Sequence, residues 1–466
     1  MNKDIFSERE ILEMLNYVEN IDEGDEDINL DELKKKKMKK RLMKKICVKN
    51  KKRNVYKIAA ACVCALTVFF TIPVFAKNIP AIKSIIQALN DRSGDLGEYE
   101  KYSKIINKSI TSNGITLTIN EIECDKRSLM IGYTIKSKGN IKDIIVQEPS
   151  DKRFKAFSFT KFFKINSKRA ETGSGSGGVG RYIDNHTYID SETLDNGRKD
   201  FPSNFKVDLD INDIYGIKGK WNFKFSVSQE DMLKNTKEFT PNTVVKLPEA
   251  DITIKNVSFT PINTFIIFSG KYSKNGEEEV NKQENIGYML YNEFFVFDDK
   301  GNEIKNKRNS GTISTGFSDF DCNYDFVSSK YIPKYLTVIP YRTKHNESGR
   351  QKILKDINGV YPIELSQGKF GEIVINKITT ENDKTIVNYC VKGLVPIFRS
   401  NGIYIVDDKD NIVDSLGESK KIEGKLNNYT MEFKALDKNK KYKICAYDLS
   451  DIEIREDLKF KIDLKK

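Results

Sequence analysis

The chain has 466 residues, 38% of them apolar and 31% charged, with 78 Lys and Arg against 67 Asp and Glu for a net charge of +11. That composition excludes wholesale disorder, and the length suits several domains of about 150 residues. A surplus of 11 spread over so long a chain is a weak nucleic-acid signal. Two histidines, His186 and His345, and seven cysteines with no C-x-x-C pair among them give no support to a zinc site or a thioredoxin-like motif.

Taken in chain order, the first predicted element is a helix starting at Glu8. Ser7 is its N-cap and Glu10 stands at the third helical position of a capping box, while Phe6 and Ile11 form the staple around it. Ile11, Leu12, Leu15 and Val18 share one face. After an acidic stretch, a second helix starts beyond Asn29, with Leu33, Met38, Leu42 and Ile46 as a sparse apolar stripe. Residues 1–33 hold 12 acids and 2 bases, whereas residues 34–57 hold 14 bases and no acid. Two short helices make no core of their own. The acidic one is repelled by lipid headgroups, so a protein groove is the better partner for Ile11, Leu12, Leu15 and Val18. The basic one either lies on anionic lipid through Lys49, Lys51, Lys52, Arg53 and Lys57 or only fixes topology.

Ile58 to Ala76 is a run of 19 residues without a charge. At about 1.5 Å per residue it spans about 28 Å, close to a bilayer's hydrocarbon thickness. The basic flank at residues 34–57 keeps the N-terminus in the cytoplasm and exports residues 77–466. A cleaved signal peptide is the rival reading, because Val74-Phe75-Ala76 resembles a cleavage site. An uncleaved single-pass anchor is favoured, since 57 residues precede the apolar run.

Beyond the span, Asn78 and Pro80 open a helix with Ile82, Ile85, Ile86 and Leu89 on one face. Residues 98–108 suggest another short helix. Then the period changes to two. Leu117, Ile119 and Ile122 lead through Asp125-Lys126-Arg127 to Leu129, Ile131, Tyr133 and Ile135, a β-hairpin. Shifted by 135 residues, the pattern returns as Ile252, Ile254, Val257, Ile266 and Phe268; shifted by 256, as Ile373, Ile375, Ile378, Val387, Tyr389 and Val391. Residues 220–227, 335–341 and 443–447 alternate as closing strands, and linkers are expected near 236–247 and 361–370. The expected fold is therefore mainly β: short N-terminal helices, one transmembrane helix, then about three immunoglobulin-like β-sandwich domains outside the membrane, at 77–235, 236–367 and 368–466. Cys390 and Cys445 fall in the same expected domain, where they either pair or stay as buried thiols.

Gly173-Ser174-Gly175-Ser176-Gly177-Gly178 satisfies G-x-G-x-x-G but precedes a strand rather than a helix, so it reads as a hairpin loop. Asp407-Asp408-Lys409-Asp410-Asn411 lacks the Gly and the later Glu of a calcium loop and reads as a turn. No catalytic residue, cofactor site or metal site is nominated, and the chain is not expected to be an enzyme.

The layout resembles a family of single-pass Gram-positive membrane proteins built on the domain of unknown function 4179. The features that carry it are the Lys/Arg run before the span, Ile72-Pro73-Val74-Phe75-Ala76 running into Asn78-Ile79-Pro80, and Asn113-Gly114-Ile115-Thr116-Leu117 with its hairpin to Tyr133-Thr134-Ile135. The resemblance covers about residues 1–235, with companion domains after it. It implies a membrane-bound anti-sigma factor whose tail sequesters an extracytoplasmic-function sigma factor while the exported part senses the envelope. The tail holds no His and only Cys47, so the zinc-type anti-sigma pattern is absent and binding would run through the amphipathic helices. The alternative is a structural or adhesive envelope protein that binds wall polymer or another protein.

Overall fold

The computed structural model describes residues 83–92, 97–147, 151–170, 174–175, 180–196, 199–282, 293–313, 318–343, 349–381 and 383–464, all within one compact unit, Ile79–Lys466. The two tail helices and the apolar span expected at 58–76 lie outside the described residues. Among the described residues, no helix is long and apolar enough to cross a membrane.

The described chain is mainly β and is built from three modules, each made of two antiparallel sheets around one core. In the first module one sheet runs in the order Lys104–Ser112, Ile115–Cys124, Ser128–Ser137 and Thr187–Asp195. The other runs Ile217–Ser228, Asn204–Ile214, Phe163–Ile165 and Lys168–Arg169. Leu117, Ile119, Ile131 and Tyr133 from the first sheet meet Leu209, Trp221 and Phe223 from the second. Trp221, fully buried, donates its indole N–H to the carbonyl of Ile115 at 3.1 Å and so pins one sheet to the other. Fully burying each of the Leu, Ile and Phe side chains of this core contributes roughly 1.5–3 kcal/mol.

The threefold hairpin seen in the sequence is present residue for residue. Ile115–Cys124 with Ser128–Ser137, Ala250–Phe259 with Asn263–Tyr272, and Gly371–Thr380 with Lys384–Gly393 stand at offsets of 135 and 256. Each hairpin also carries a bulge at the equivalent place. The register jumps between Ile119 and Glu121, between Ile254 and Asn256, and between Ile375 and Lys377. One extra residue in a period-two strand reverses which face each later side chain takes. Hence Ile115, Leu117 and Ile119 face the core, Ile122 and Cys124 face it again after the bulge, and Glu121 and Glu123 are turned to the outer face.

The expected boundaries need changing. The segments expected as linkers are edge strands: Lys237–Phe239 and Thr243–Lys246 pair with Ala250–Phe259, and Ile363–Ser366 pairs with Gly371–Thr380. The third module already begins at Lys352–Asp356, which pairs with Tyr442–Tyr447. The end of the chain leaves that module: Ile452–Ile454 and Phe460–Asp463 pair with Tyr335–Thr343, and Ile462 and Leu464 complete the second core. Residues 98–108 hold one helical turn, Tyr99–Tyr102, and then a strand from Lys104. Pairing of Cys390 with Cys445 does not occur. Both are free thiols on strands of opposite sheets, and each sits out of phase with the core residues of its own strand, Tyr389 and Val391 or Ile444 and Ala446.

Candidate functional site

The outer face of the first sheet is covered. A helix, α1 (Ile85–Arg92), lies across it, and a single turn, α2 (Tyr99–Tyr102), follows. The helix starts at Ile85; of the expected stripe Ile82 lies outside the described residues, and Ile85, Ile86 and Leu89 are buried, at 6%, 0% and 3% exposed. Ile86 packs with Tyr99, Met130, Met232 and Ile262, while Ile85 and Leu89 pack on Ile189. Ile262 belongs to the second module, so the helix, the first sheet and the second module meet at one joint. Gly132 makes room for this contact, because a Cβ there would stand 3.0 Å from Cγ1 of Ile86 and 3.1 Å from Cγ of Glu121.

The N-terminus of α1 is held by a strand carboxylate. Oε1 of Glu121 accepts the Ser84 hydroxyl at 3.0 Å and the Ile86 N–H at 2.9 Å, and the Ser84 hydroxyl in turn accepts the Gln87 N–H at 3.0 Å. An anion at a helix N-terminus is favoured by the unpaired N–H groups and the helix dipole. Burial nonetheless raises the Glu121 carboxyl above its ordinary range, against the pull of those donors.

Glu123 continues the same face. It is 1% exposed, and neither carboxylate oxygen has a hydrogen-bond partner among the described residues. Burial pushes its proton affinity well up, Asp125 and Asp325 add to the rise, and Lys307 opposes it. Asp125 is also buried. Its Oδ1 accepts the N–H groups of Arg127 and Ser128, each at 2.7 Å, and so shapes the hairpin turn. Its Oδ2 accepts Nδ2 of Asn263 at 3.2 Å, a bond from the second module. Lys307, also of the second module, donates to Oδ1 of Asn263 and, at 2.5 Å, to the hydroxyl of Tyr99. One polar chain thus links the first hairpin, α2 and two strands of the second module.

Beside it lies a cleft of about 190 Å³ lined by Lys126, Arg127 and Asp200 from the first module and Glu238, Asn256, Ser258 and Phe265 from the second. Lys126 pairs across it with Glu238 at 2.5 Å, and Arg127 pairs with Asp200 of its own module at 3.2 Å. Among the described residues, no group of three or more His, Cys, Asp or Glu side chains is placed to hold a metal ion.

The joint between the second and third modules repeats the device. The Glu303 carboxylate accepts the N–H groups of Ile397 and Phe398, at 2.7 and 2.8 Å, at the start of the short helix Pro396–Ser400. Burial pushes Glu303 up to about 7. Next to it the buried Arg399 donates to Gln367 and to the carbonyls of Phe370, Lys392 and Leu394.

The residues nominated from sequence, Ile11, Leu12, Leu15, Val18, Leu33, Met38, Leu42 and Ile46 for a partner and Lys49, Lys51, Lys52, Arg53 and Lys57 for a membrane surface, lie outside the described residues. Sequence reasoning passed over Glu121, Glu123 and Asp125. Their signal was three acids at alternate positions, interleaved with Ile122 and Cys124, at the end of a strand and its turn, Glu121-Ile122-Glu123-Cys124-Asp125. The Asp407 to Asn411 stretch is a turn, as read, with Oδ1 of Asp407 accepting the N–H groups of Lys409 and Asn411. His186 is exposed, with Nδ1 3.0 Å from the carbonyl oxygen of Gly139. Within the Gly-rich stretch read as a loop, Ser174–Gly175 are strand residues, and like Arg181–Tyr182 after it they pair with Thr187–Asp195.

The acids that hold α1 and the turn all fall in one segment matched by a family model. Residues 49–137 match the family model "Domain of unknown function (DUF4179)". The DUF4179 segment contains α1, α2 and the first hairpin, and it is narrower than the 1–235 over which the resemblance was drawn. Residues 236–365 match a second model, "Family of unknown function (DUF5643)", which contains Asn263 and Lys307. The acidic joint is therefore where the DUF4179 segment meets the DUF5643 segment. No curated protein matches the chain. A solved structure, "The crystal structure of the conserved domain protein from Bacillus anthracis", is similar at 18% identity over 80% of this chain and 95% of that one, with a TM-score of 0.43.

Proposed function

We propose that the chain is a single-pass membrane regulator of the anti-sigma type. In this reading residues 1–57 lie in the cytoplasm, residues 58–76 span the bilayer, and the three β modules, immunoglobulin-like sandwiches, stand outside and sense the envelope. The tail, through Ile11, Leu12, Leu15 and Val18, packs on an apolar groove of an extracytoplasmic-function sigma factor and keeps it from RNA polymerase.

The observation that carries the reading is the seating of α1. The first described element beyond the apolar run is capped by Glu121 and buried against side chains of both the first and second modules. A purely adhesive protein needs only a tether at that place. A sensor needs its outer modules to hold firmly the chain that leads to them from the span, and a buried, capped helix at that end of the modules supports this reading.

The test is capture of the sigma factor encoded beside this chain by the full-length protein in detergent. Retention, lost at least tenfold in Leu15→Asp, is the expected result. No retention by the unaltered chain would overturn the proposal in favour of the adhesive alternative. An impermeant reagent reaching a tag ahead of Ile5 on intact cells would overturn the orientation.

A further inference from the structure

The joint that seats α1 contains a carboxyl group that its capping role does not use. We propose that Glu123 is a proton-operated latch: uncharged, it allows the first module, α1 and the second module to stay closed together, and its ionisation by alkaline surroundings opens that joint. The inference rests on the sensing role proposed above and names the stimulus.

Four features carry it. The side chain is 1% exposed and both its oxygens lack donors among the described residues, so an anion there would have neither water nor a hydrogen bond to stabilise it. The charges that face it are mostly of its own sign. Asp125 follows on the same strand, Asp325 comes from the second module, and Lys307, also from the second module, is the cation opposing them. Glu121 stands two residues before it and is occupied at Oε1 by the start of α1, and the α2 residue Tyr99 accepts a hydrogen bond from Lys307. Finally, the strand bulge is what turns Glu123 outward into the joint rather than into the sandwich core, so its protonation state acts on how modules meet and not on whether the module folds.

The sign follows from linkage. The closed joint raises the proton affinity of Glu123 well above that of a solvated glutamate, so protonation favours closure and loss of the proton favours opening. Between the solvated and the buried proton affinities, a single group of this kind increases the open-to-closed ratio by up to tenfold per pH unit.

The test is amide hydrogen exchange on the full-length chain from pH 5 to 9, each rate normalised to the intrinsic exchange at that pH, with the third module's hairpin (Gly371–Gly393) as the internal control. In the unaltered protein, protection of Ile85–Arg92 and Tyr99–Tyr102 should fall at least tenfold across the range relative to the control. In Glu123→Gln, which keeps the shape but cannot ionise, that fall should shrink severalfold, leaving the smaller part that the raised Glu121 and Asp125 carboxyls contribute. A pH response of equal size in Glu123→Gln, or none in the unaltered chain, would overturn the latch. Should Glu123→Gln fold poorly, Lys307→Met supplies the second arm: removing the opposing cation should move the opening to higher pH, and an unmoved midpoint would overturn the proposal. Because nothing here depends on a sigma factor, failure of sigma capture and failure of the latch are told apart.

Discussion

Replacing Ile86 by alanine isolates how firmly α1 is docked. Ile86 is 0% exposed and touches Tyr99, Met130, Met232 and Ile262. Alanine is at least as good a helix former as isoleucine, so the loss falls on docking and not on the helix itself. Truncating a fully buried isoleucine to alanine costs about 2–5 kcal/mol, most where the cavity stays open. Two of the four neighbours are methionines, whose flexible thioether chains fill gaps, which places this site at about 2–3 kcal/mol. With each 1.4 kcal/mol worth a factor of ten, the opening equilibrium of α1 should rise roughly 30- to 150-fold. Hydrogen exchange of Ile85–Arg92 in Ile86→Ala measures this directly, and protection should fall by that factor. Trp221, the one tryptophan of the chain, sits in the first core and should keep its native fluorescence. Unchanged protection in the variant would refute the claim that this contact seats the helix. A shifted Trp221 emission would show instead that α1 is integral to the module.

Two further outcomes follow from the first module. Trp221→Phe removes the donor that satisfies the Ile115 carbonyl and leaves a void in a fully buried site, so calorimetry should show that module destabilised by about 2–4 kcal/mol; a loss below about 0.5 kcal/mol would speak against the inter-sheet pin. Burial pushes Glu192, 7% exposed, up to about 7, while its carboxylate accepts the Ser158 hydroxyl and the Phe159 N–H. A folded-state value above the unfolded one means that its contribution is fully present below about pH 4.5 and is lost as pH rises through about 7, a change of about 3 kcal/mol. Urea unfolding of Glu192→Gln between pH 5 and 8 should lose that part of the slope, and a slope equal to that of the unaltered chain would count against it.

Much of the fold was legible because it is written in local alternation. The hairpins at 115–137, 250–272 and 371–393 each pair apolar positions at period two, and their offsets of 135 and 256 survive in the structure down to the bulge. The stripe of α1 was legible for the same reason at period 3.6. What was not legible depends on partners distant in sequence. Phe460–Asp463 reads as a short amphipathic strand wherever it lies, and only the open edge of Tyr335–Thr343 and the gap filled by Ile462 in the second core place it there. Residues 237–246 look like a linker because they are polar, yet edge strands need be apolar on one face at most. Glu121 and Glu123 carry no motif; their meaning comes from the helix laid over them and from one residue, Asn120, that shifts the phase of the strand.

The return of the chain's last strands to the second module couples the order of synthesis to the order of folding. The second core lacks Ile462 and Leu464 until some two hundred residues beyond its first hairpin have been made, so the third module is complete before its predecessor can close. A fragment trimmed to residues 236–365, the span that the DUF5643 model matches, would present Tyr335–Thr343 as a bare edge above an unfilled core, open to any strand that reaches it first.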